Sequence, residues 1–179
     1  MTSKNEYRVT VLCEDKSHFD FVRGYLKTLG FNHRKIFSEV APLGRGSGEQ
    51  YVRKKFSKTA TSFRKHQRGN TILVVVTDAD KCTYQKRLDS LTNTLQTPLQ
   101  AKERIIILIP KRNIETWFRY ADDPTDCNEA KDYKPKYKKV KPSKYGKKYA
   151  ENICPNPLSN ALSALKEACE EIKRLKGLL

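Results

Sequence analysis

Short continuous apolar runs alternate along this chain with longer stretches in which apolar residues return every three or four positions. In EYRVTVLCED, residues 6–15, Val9, Val11 and Cys13 fall at every second position and Leu12 closes the apolar stretch, the pattern of a strand. Ser17 can then cap a helix over 18–29, with Phe19, Val22, Tyr25 and Leu26 on one face and Gly30 as its stop. RKIFSEVAPL, 34–43, predicts a short second strand, and GRGSGEQ, 44–50, predicts a flexible loop into a basic helix over about 50–66, ended by Gly69. TILVVVT, 71–77, is a third strand, followed by a helix over about 83–95 and a fourth strand, RIIILIP, 104–110. A short helix at 113–121 and an amphipathic closing helix within 156–179 complete the chain. Strand and helix in this repeated order, with continuously apolar strands, predict an α/β fold: a mostly parallel sheet covered by helices on both faces.

Length and charge narrow the class of protein. At 179 residues the chain is one domain of ordinary size, able to bury a core without a structural metal. No apolar run approaches the roughly 18 residues of a membrane span, and MTSKNEYRVT lacks the apolar stretch of a signal peptide, so a cytoplasmic protein without membrane contact is expected. The five cysteines stand singly, without zinc-ligand spacing, and are expected to be reduced structural thiols. Thirty-six Lys and Arg against twenty Asp and Glu leave +16, more than solubility requires, which favours a polyanionic partner, nucleic acid before any other.

Half of that excess lies in KDYKPKYKKVKPSKYGKKYA, 131–150, whose nine lysines and one aspartate give +8. Its Pro and Gly argue against a regular helix. The chain therefore divides into an α/β core at 1–125, a Lys/Tyr-rich basic loop at 126–150, and a closing helix at 151–179 that packs on the core and would suit a homodimer contact. Lys134, Lys136, Lys138, Lys139 and Lys141, with Lys81, are candidates to neutralise phosphates. Tyr137 and Tyr145, like Tyr133 and Tyr149, are candidates to stack on unpaired bases. The plainer reading of the segment is a solvated loop. Arg53, Lys54, Lys55, Lys58, Arg64 and Lys65 offer a second basic track.

The acids supply the chemistry. In an open parallel sheet ligands gather at the carboxyl ends of the strands. There the first strand delivers Glu14 and Asp15, the third Asp78 and Asp80, and the fourth Lys111, with Glu115 one turn into the next helix. Two carboxylates about 5 Å apart repel by roughly 3 kcal/mol at an effective dielectric near 20, so their convergence calls for a cation. Oxygen donors favour Mg²⁺ or Mn²⁺ over zinc. Each acid also has a structural reading: Asp80 can cap the helix after it, Glu14 can pair with Lys16 or Lys81, and Glu115 can bond a neighbouring lysine. Lys111 and Lys81 are candidates to neutralise charge on a reacting phosphate, or simply solvated lysines. His18, His33 and His66 lie on or near helices without a recognisable partner and are set aside as catalytic bases.

Glu after the first strand (VLCEDKSH), Asp-x-Asp after a later one (VVVTDADK), and a strand leading into an acid and a tryptophan (IPKRNIETW) together resemble the Toprim domain over roughly residues 6–121. The nearest likeness is to stand-alone Toprim nucleases of bacterial anti-phage systems, including the overcoming-lysogenization-defect type. The resemblance implies a divalent metal held by Glu14, Asp78 and Asp80 for phosphodiester cleavage, Glu115 as an additional metal-binding or supporting acid, and a separate ATPase or sensor protein as partner. The chain departs from the family pattern at Asp15 and Lys81, where many Toprim sequences carry Gly. A non-catalytic nucleic-acid-binding module is the competing expectation. A phosphoacceptor receiver domain fits worse, because of the charge, Asp80, and the lack of Ser or Thr at the end of the fourth strand.

Overall fold

A computed structural model describes residues 3–44, 46–66 and 69–179, so Arg45 of the 44–50 loop lies outside the described residues. The four apolar runs form strands β1 (Arg8–Cys13), β2 (Ile36–Val40), β3 (Thr71–Val76) and β4 (Ile105–Leu108). They make one all-parallel sheet in the order β2-β1-β3-β4. Cys13 pairs with Val76, and Val76 with Leu108, so β1, β3 and β4 end level and the residues after them share one edge.

The period of two in each strand sends its side chains to two separate cores. Val9, Val11, Cys13, Ile72, Val74, Val76, Ile106 and Leu108 meet the helices α1 (Lys16–Thr28), α4 (Ile114–Asp122), α5 (Pro142–Lys148) and α6 (Ser163–Gly177). Leu12, Leu73, Val75, Ile105 and Ile107 meet α2 (Gly48–Lys65) and α3 (Tyr84–Thr92). Both faces are covered, and each fully buried aliphatic side chain contributes on the order of 1.5–3 kcal/mol. The α/β expectation holds in full.

Local chemistry differs from the sequence reading in four places. The N-cap of α1 is Asp15, not Ser17: its carboxylate accepts the His18 amide at 3.0 Å. The segment expected to lack a regular helix contains α5 and a following π-helical turn, Tyr149–Ile153. Pro142 stands in the first turn, where its missing N–H costs nothing. Gly146 is what lets α5 dock, since a Cβ there would lie 2.0 Å from the Phe21 carbonyl oxygen; one on Gly24 would lie 2.3 Å from that of Ser143. The closing helix starts at Ser163, later than the apolar periodicity suggested. Finally, two of the five cysteines are not free: the π-helical turn brings Cys154 against Cys169 on α6, and a disulfide joins them with Cα atoms 5.1 Å apart. Among the described residues no helix is long and apolar enough to cross a membrane.

Candidate acid site at the carboxyl edge of the sheet

Helix α1 leaves β1 onto one face of the sheet, and α3 follows β3 onto the other. Neighbouring strands whose continuations diverge leave a crevice at their carboxyl ends. Glu14 and Asp78 flank it. Glu14 Oε1 accepts the Thr77 hydroxyl at 2.5 Å and the Asp78 amide at 2.7 Å, latching the end of β1 to the end of β3. Burial, followed by the charge of Asp78, raises the Glu14 pKa. The N-terminus of α2 presses on the same residue, for a Cβ on Gly48 would sit 2.6 Å from Glu14 Cβ.

Asp78 is 1% exposed. Its Oδ1 lies 2.9 Å from Nε2 of His18, which is itself fully buried. His18 Nδ1 stands 3.0 Å from Asp15 Oδ1, at ion-pair distance but without hydrogen-bond alignment. Burial alone would keep the imidazole neutral. The Asp78 and Asp15 carboxylates overcome that and raise the His18 pKa well above its ordinary range, so His18 is an imidazolium clamped between two carboxylates. Reciprocally, burial opposes the charge on Asp15, but His18 wins and holds its pKa below the usual range. The expectation that His18 has no partner is corrected. Its ring joins Asp15, three residues back, to Asp78, sixty residues on.

The second oxygen of Asp78, Oδ2, is buried without a hydrogen-bond partner. So is Oε2 of Glu115, in the first turn of α4, whose pKa is raised by burial and then by Asp78. The cation near both is Lys134, with Nζ 3.7 Å from Asp78 Oδ2. Burial works to lower the pKa of this ammonium, but Asp78, Glu115, Asp15 and Asp80 raise it. Lys134 is placed by Asp132, whose Oδ1 accepts from Asn113 Nδ2 at 2.8 Å and from the Lys134 amide at 3.0 Å.

Asp80 does not continue an extended chain from Asp78. Its φ is +53°, and it pairs antiparallel with Arg112, itself at +67°. The turn leaves Asp78 buried and Asp80 half-exposed, with Oδ2 3.3 Å from Arg87, which also holds Glu49 at 2.6 Å. Burial and then Asp78 raise the Asp80 pKa, against Arg87, Lys134 and Arg112. Asp80 and Lys134 line an open cavity of about 400 Å³ together with Lys81, Cys82, Arg112, Asn113 and Asp132. Asp80 does not cap the next helix, because Thr83 does so.

Three expectations are overturned. Lys111 is not at the acids; its ammonium donates to the Cys82 carbonyl at 2.7 Å, and Lys134 meets the acids instead. Lys134 is correspondingly withdrawn from the set of free phosphate contacts. Tyr137 and Tyr145 cannot stack on bases: they are 5% and 7% exposed, pack on Phe118, and both donate to Asp122 Oδ2 at 3.0 Å. Tyr149 is buried as well, donating to the Trp117 carbonyl at 2.8 Å. Lys81, Lys136, Lys138, Lys139 and Lys141 remain exposed.

Among the described residues no group of three or more His, Cys, Asp or Glu side chains is arranged to hold a metal ion. Glu14 Oε1 and Asp78 Oδ1 are committed to Thr77, the Asp78 amide and His18. Asp78 Oδ2 and Glu115 Oε2 are buried without hydrogen-bond partners, the first with Lys134 at 3.7 Å, and Asp80 lies more exposed beside Arg87. Buried anionic oxygen is costly unless paired, and the ammonium of Lys134 is the cation beside Asp78 Oδ2. Comparison of the chain with protein-family models, with curated proteins and with solved structures gives no match.

Proposed function

We propose that this chain is a divalent-metal-dependent nuclease of the Toprim kind, hydrolysing phosphodiester bonds in DNA or RNA, with a role in anti-phage defence alongside a separate ATPase. The observation that carries the reading is the meeting of Glu14, Asp78 and Glu115 at one sheet edge, with Asp78 Oδ2 and Glu115 Oε2 buried without hydrogen-bond partners. Nucleic-acid binding alone does not require such an expense of buried negative charge.

Asp78 and Glu115, with Asp80 and Glu14 beside them, would hold Mg²⁺ or Mn²⁺. When bound, the ion would supply Lewis-acid activation of the scissile phosphate and its attacking water. The chain's own residues have separable tasks. His18 fixes the orientation of Asp78 through Oδ1 and leaves Oδ2 without a hydrogen-bond partner. Thr77 and the Asp78 amide hold Glu14. Arg87 and Arg112 offset the charge of Asp80. Exposed Lys81, Lys136, Lys138, Lys139 and Lys141 would attract the phosphate backbone without reading its sequence.

The test is incubation with plasmid, single-stranded DNA and tRNA in Mg²⁺, Mn²⁺ or EDTA, beside Asp78→Asn and Glu115→Gln. The expected result is metal-dependent cleavage reduced at least about 100-fold in Asp78→Asn, the order seen on losing one group that stabilises transition-state charge. Cleavage that survives EDTA, or is undiminished in both variants, overturns the reading. A second reading, a binding module without catalysis, is favoured by Lys134 beside Asp78 and by the lack, among the described residues, of three His, Cys, Asp or Glu side chains arranged to hold a metal. It expects nucleic-acid binding but no cleavage with any metal.

A further inference from the structure

We infer that the groove between α2 and the β2 side of the sheet binds the phosphates of an unpaired nucleic-acid strand, one of whose bases stacks on Phe37. The site stands apart from the acids and needs no metal. Arg8 and Thr71 open β1 and β3, whereas Glu14 and Asp78 follow the ends of those strands, roughly 16 Å away along β1.

Sheet register makes the groove. Phe37 and Glu39 of β2 pair with Thr10 and Leu12, and Arg8 pairs with Thr71, so all six side chains rise from the face that carries α2. The helix seats Val52, Phe56 and Ala60 on Leu12, Leu73 and Val75. Beside that contact lies a cavity of about 610 Å³, and Phe37 remains 41% exposed.

The cavity is lined by donors. Arg8, Lys55 and Lys58 supply three cations against one acid, Glu39, among the described residues that border it. Thr10, Thr59 and Thr71 add hydroxyls, and among the described residues Thr71 Oγ1 is buried without a hydrogen-bond partner. Phosphate oxygens accept from both kinds of group. The groove already holds one anion loosely: Glu39 lies 3.9 Å from Lys55 Nζ and accepts the Thr59 hydroxyl at 3.4 Å. Arg64, expected in the same basic track, is held by Glu103 at 2.6 Å instead.

Two features favour a strand over a lone phosphate or an acidic peptide. Lys55, Thr59, Ser62 and His66 recur at intervals of three and four, so they border the groove along about 16 Å of α2 and its cap residue. The Arg8 guanidinium lies 4.3 Å from the centre of the Phe37 ring, so a phosphate donor and an open aromatic surface stand together, the combination that single-strand sites use.

Fluorescence anisotropy of a labelled oligothymidylate with the full chain in EDTA tests this. Phe37→Ala, and Phe37→Leu, which keeps the apolar bulk, are each expected to weaken binding at least about 5-fold, the lower end of what one stacked base supplies. Arg8→Gln combined with Lys58→Gln should make the log–log salt dependence shallower by about 1.4, the equivalent of two phosphate contacts. Glu39→Gln should tighten binding, because it removes the acid of the groove. Unchanged affinity in both Phe37 variants, or an unchanged salt slope in the double variant, overturns the proposal. So does an oligoglutamate of equal charge that displaces the label as well as unlabelled oligothymidylate does. With divalent metal removed, these results are independent of the nuclease reading.

Discussion

His18 shows how one side chain can organise an acid cluster. Fully buried between Asp15 and Asp78, it neutralises part of the charge that folding forces together. Replacement by Leu leaves Asp78 buried with only the looser Lys134, and is expected to cost about 3–5 kcal/mol in urea unfolding, the usual result of orphaning a buried charge. The pH dependence follows from the two shifts. His18 titrates above its unfolded value in the folded protein, so its contribution is complete below about pH 6.5 and is lost as pH rises through the raised folded value. Asp15 is depressed, so its contribution is present above about pH 3.9 and is lost as pH falls through the folded value. The difference in stability between wild type and His18→Gln, measured in EDTA, should therefore be greatest near pH 4–6.5 and shrink on the alkaline side. Glu14, Asp78 and Glu115 were legible because each follows a strand that must be buried. His18 was partly legible, since it shares the buried face of α1 with Phe21, Val22, Tyr25 and Leu26, where a polar ring needs a partner. Lys134 was not legible, because nothing in a run of nine lysines distinguishes the one folded back onto acids.

At the level of elements, α5 is where sequence reasoning and structure part. Pro142 and Gly146 are helix breakers on average, yet here Pro opens the helix and Gly permits contact between backbones. The role of Gly146 is invisible to local propensity, because it depends on α1 lying alongside. Gly146→Ala is expected to destabilise by about 1–3 kcal/mol or more through overpacking against the Phe21 carbonyl, read as a lower midpoint in urea. The tyrosines of the same segment follow the same logic: Asp122 collects the hydroxyls of Tyr137 and Tyr145 and the ammonium of Lys148, tying α5 to α4. Asp122→Ala should cost on the order of 1–3 kcal/mol, because two largely buried hydroxyls lose their acceptor. Strands β3 and β4, by contrast, were predictable almost to their ends, because a continuous β-branched run of this length has few other places to go, whereas β2, Ile36–Val40, is shorter than the 34–43 segment suggested.

For the molecule as a whole, strand order decides the site. Acids from β1, β3 and β4 meet because these strands are adjacent and end level, a fact of sheet topology that no local pattern encodes. The net charge of +16 would draw a polyanion to the molecule, and on the proposed function a divalent cation would enter at the acids. Binding of an unpaired oligonucleotide in EDTA should weaken steeply with salt, with a log–log slope of about −3 if four or five phosphates are neutralised. The proposed nuclease activity requires the acids at this edge to accept a divalent cation. Thermal melting with and without Mn²⁺, for wild type and the Asp78→Asn, Glu115→Gln double variant, measures that directly. At Mn²⁺ about 100-fold above Kd the wild type should gain roughly 2.7 kcal/mol, a rise of several degrees in Tm, and the variant should gain little. No rise in wild type, or an equal rise in the variant, would contradict it.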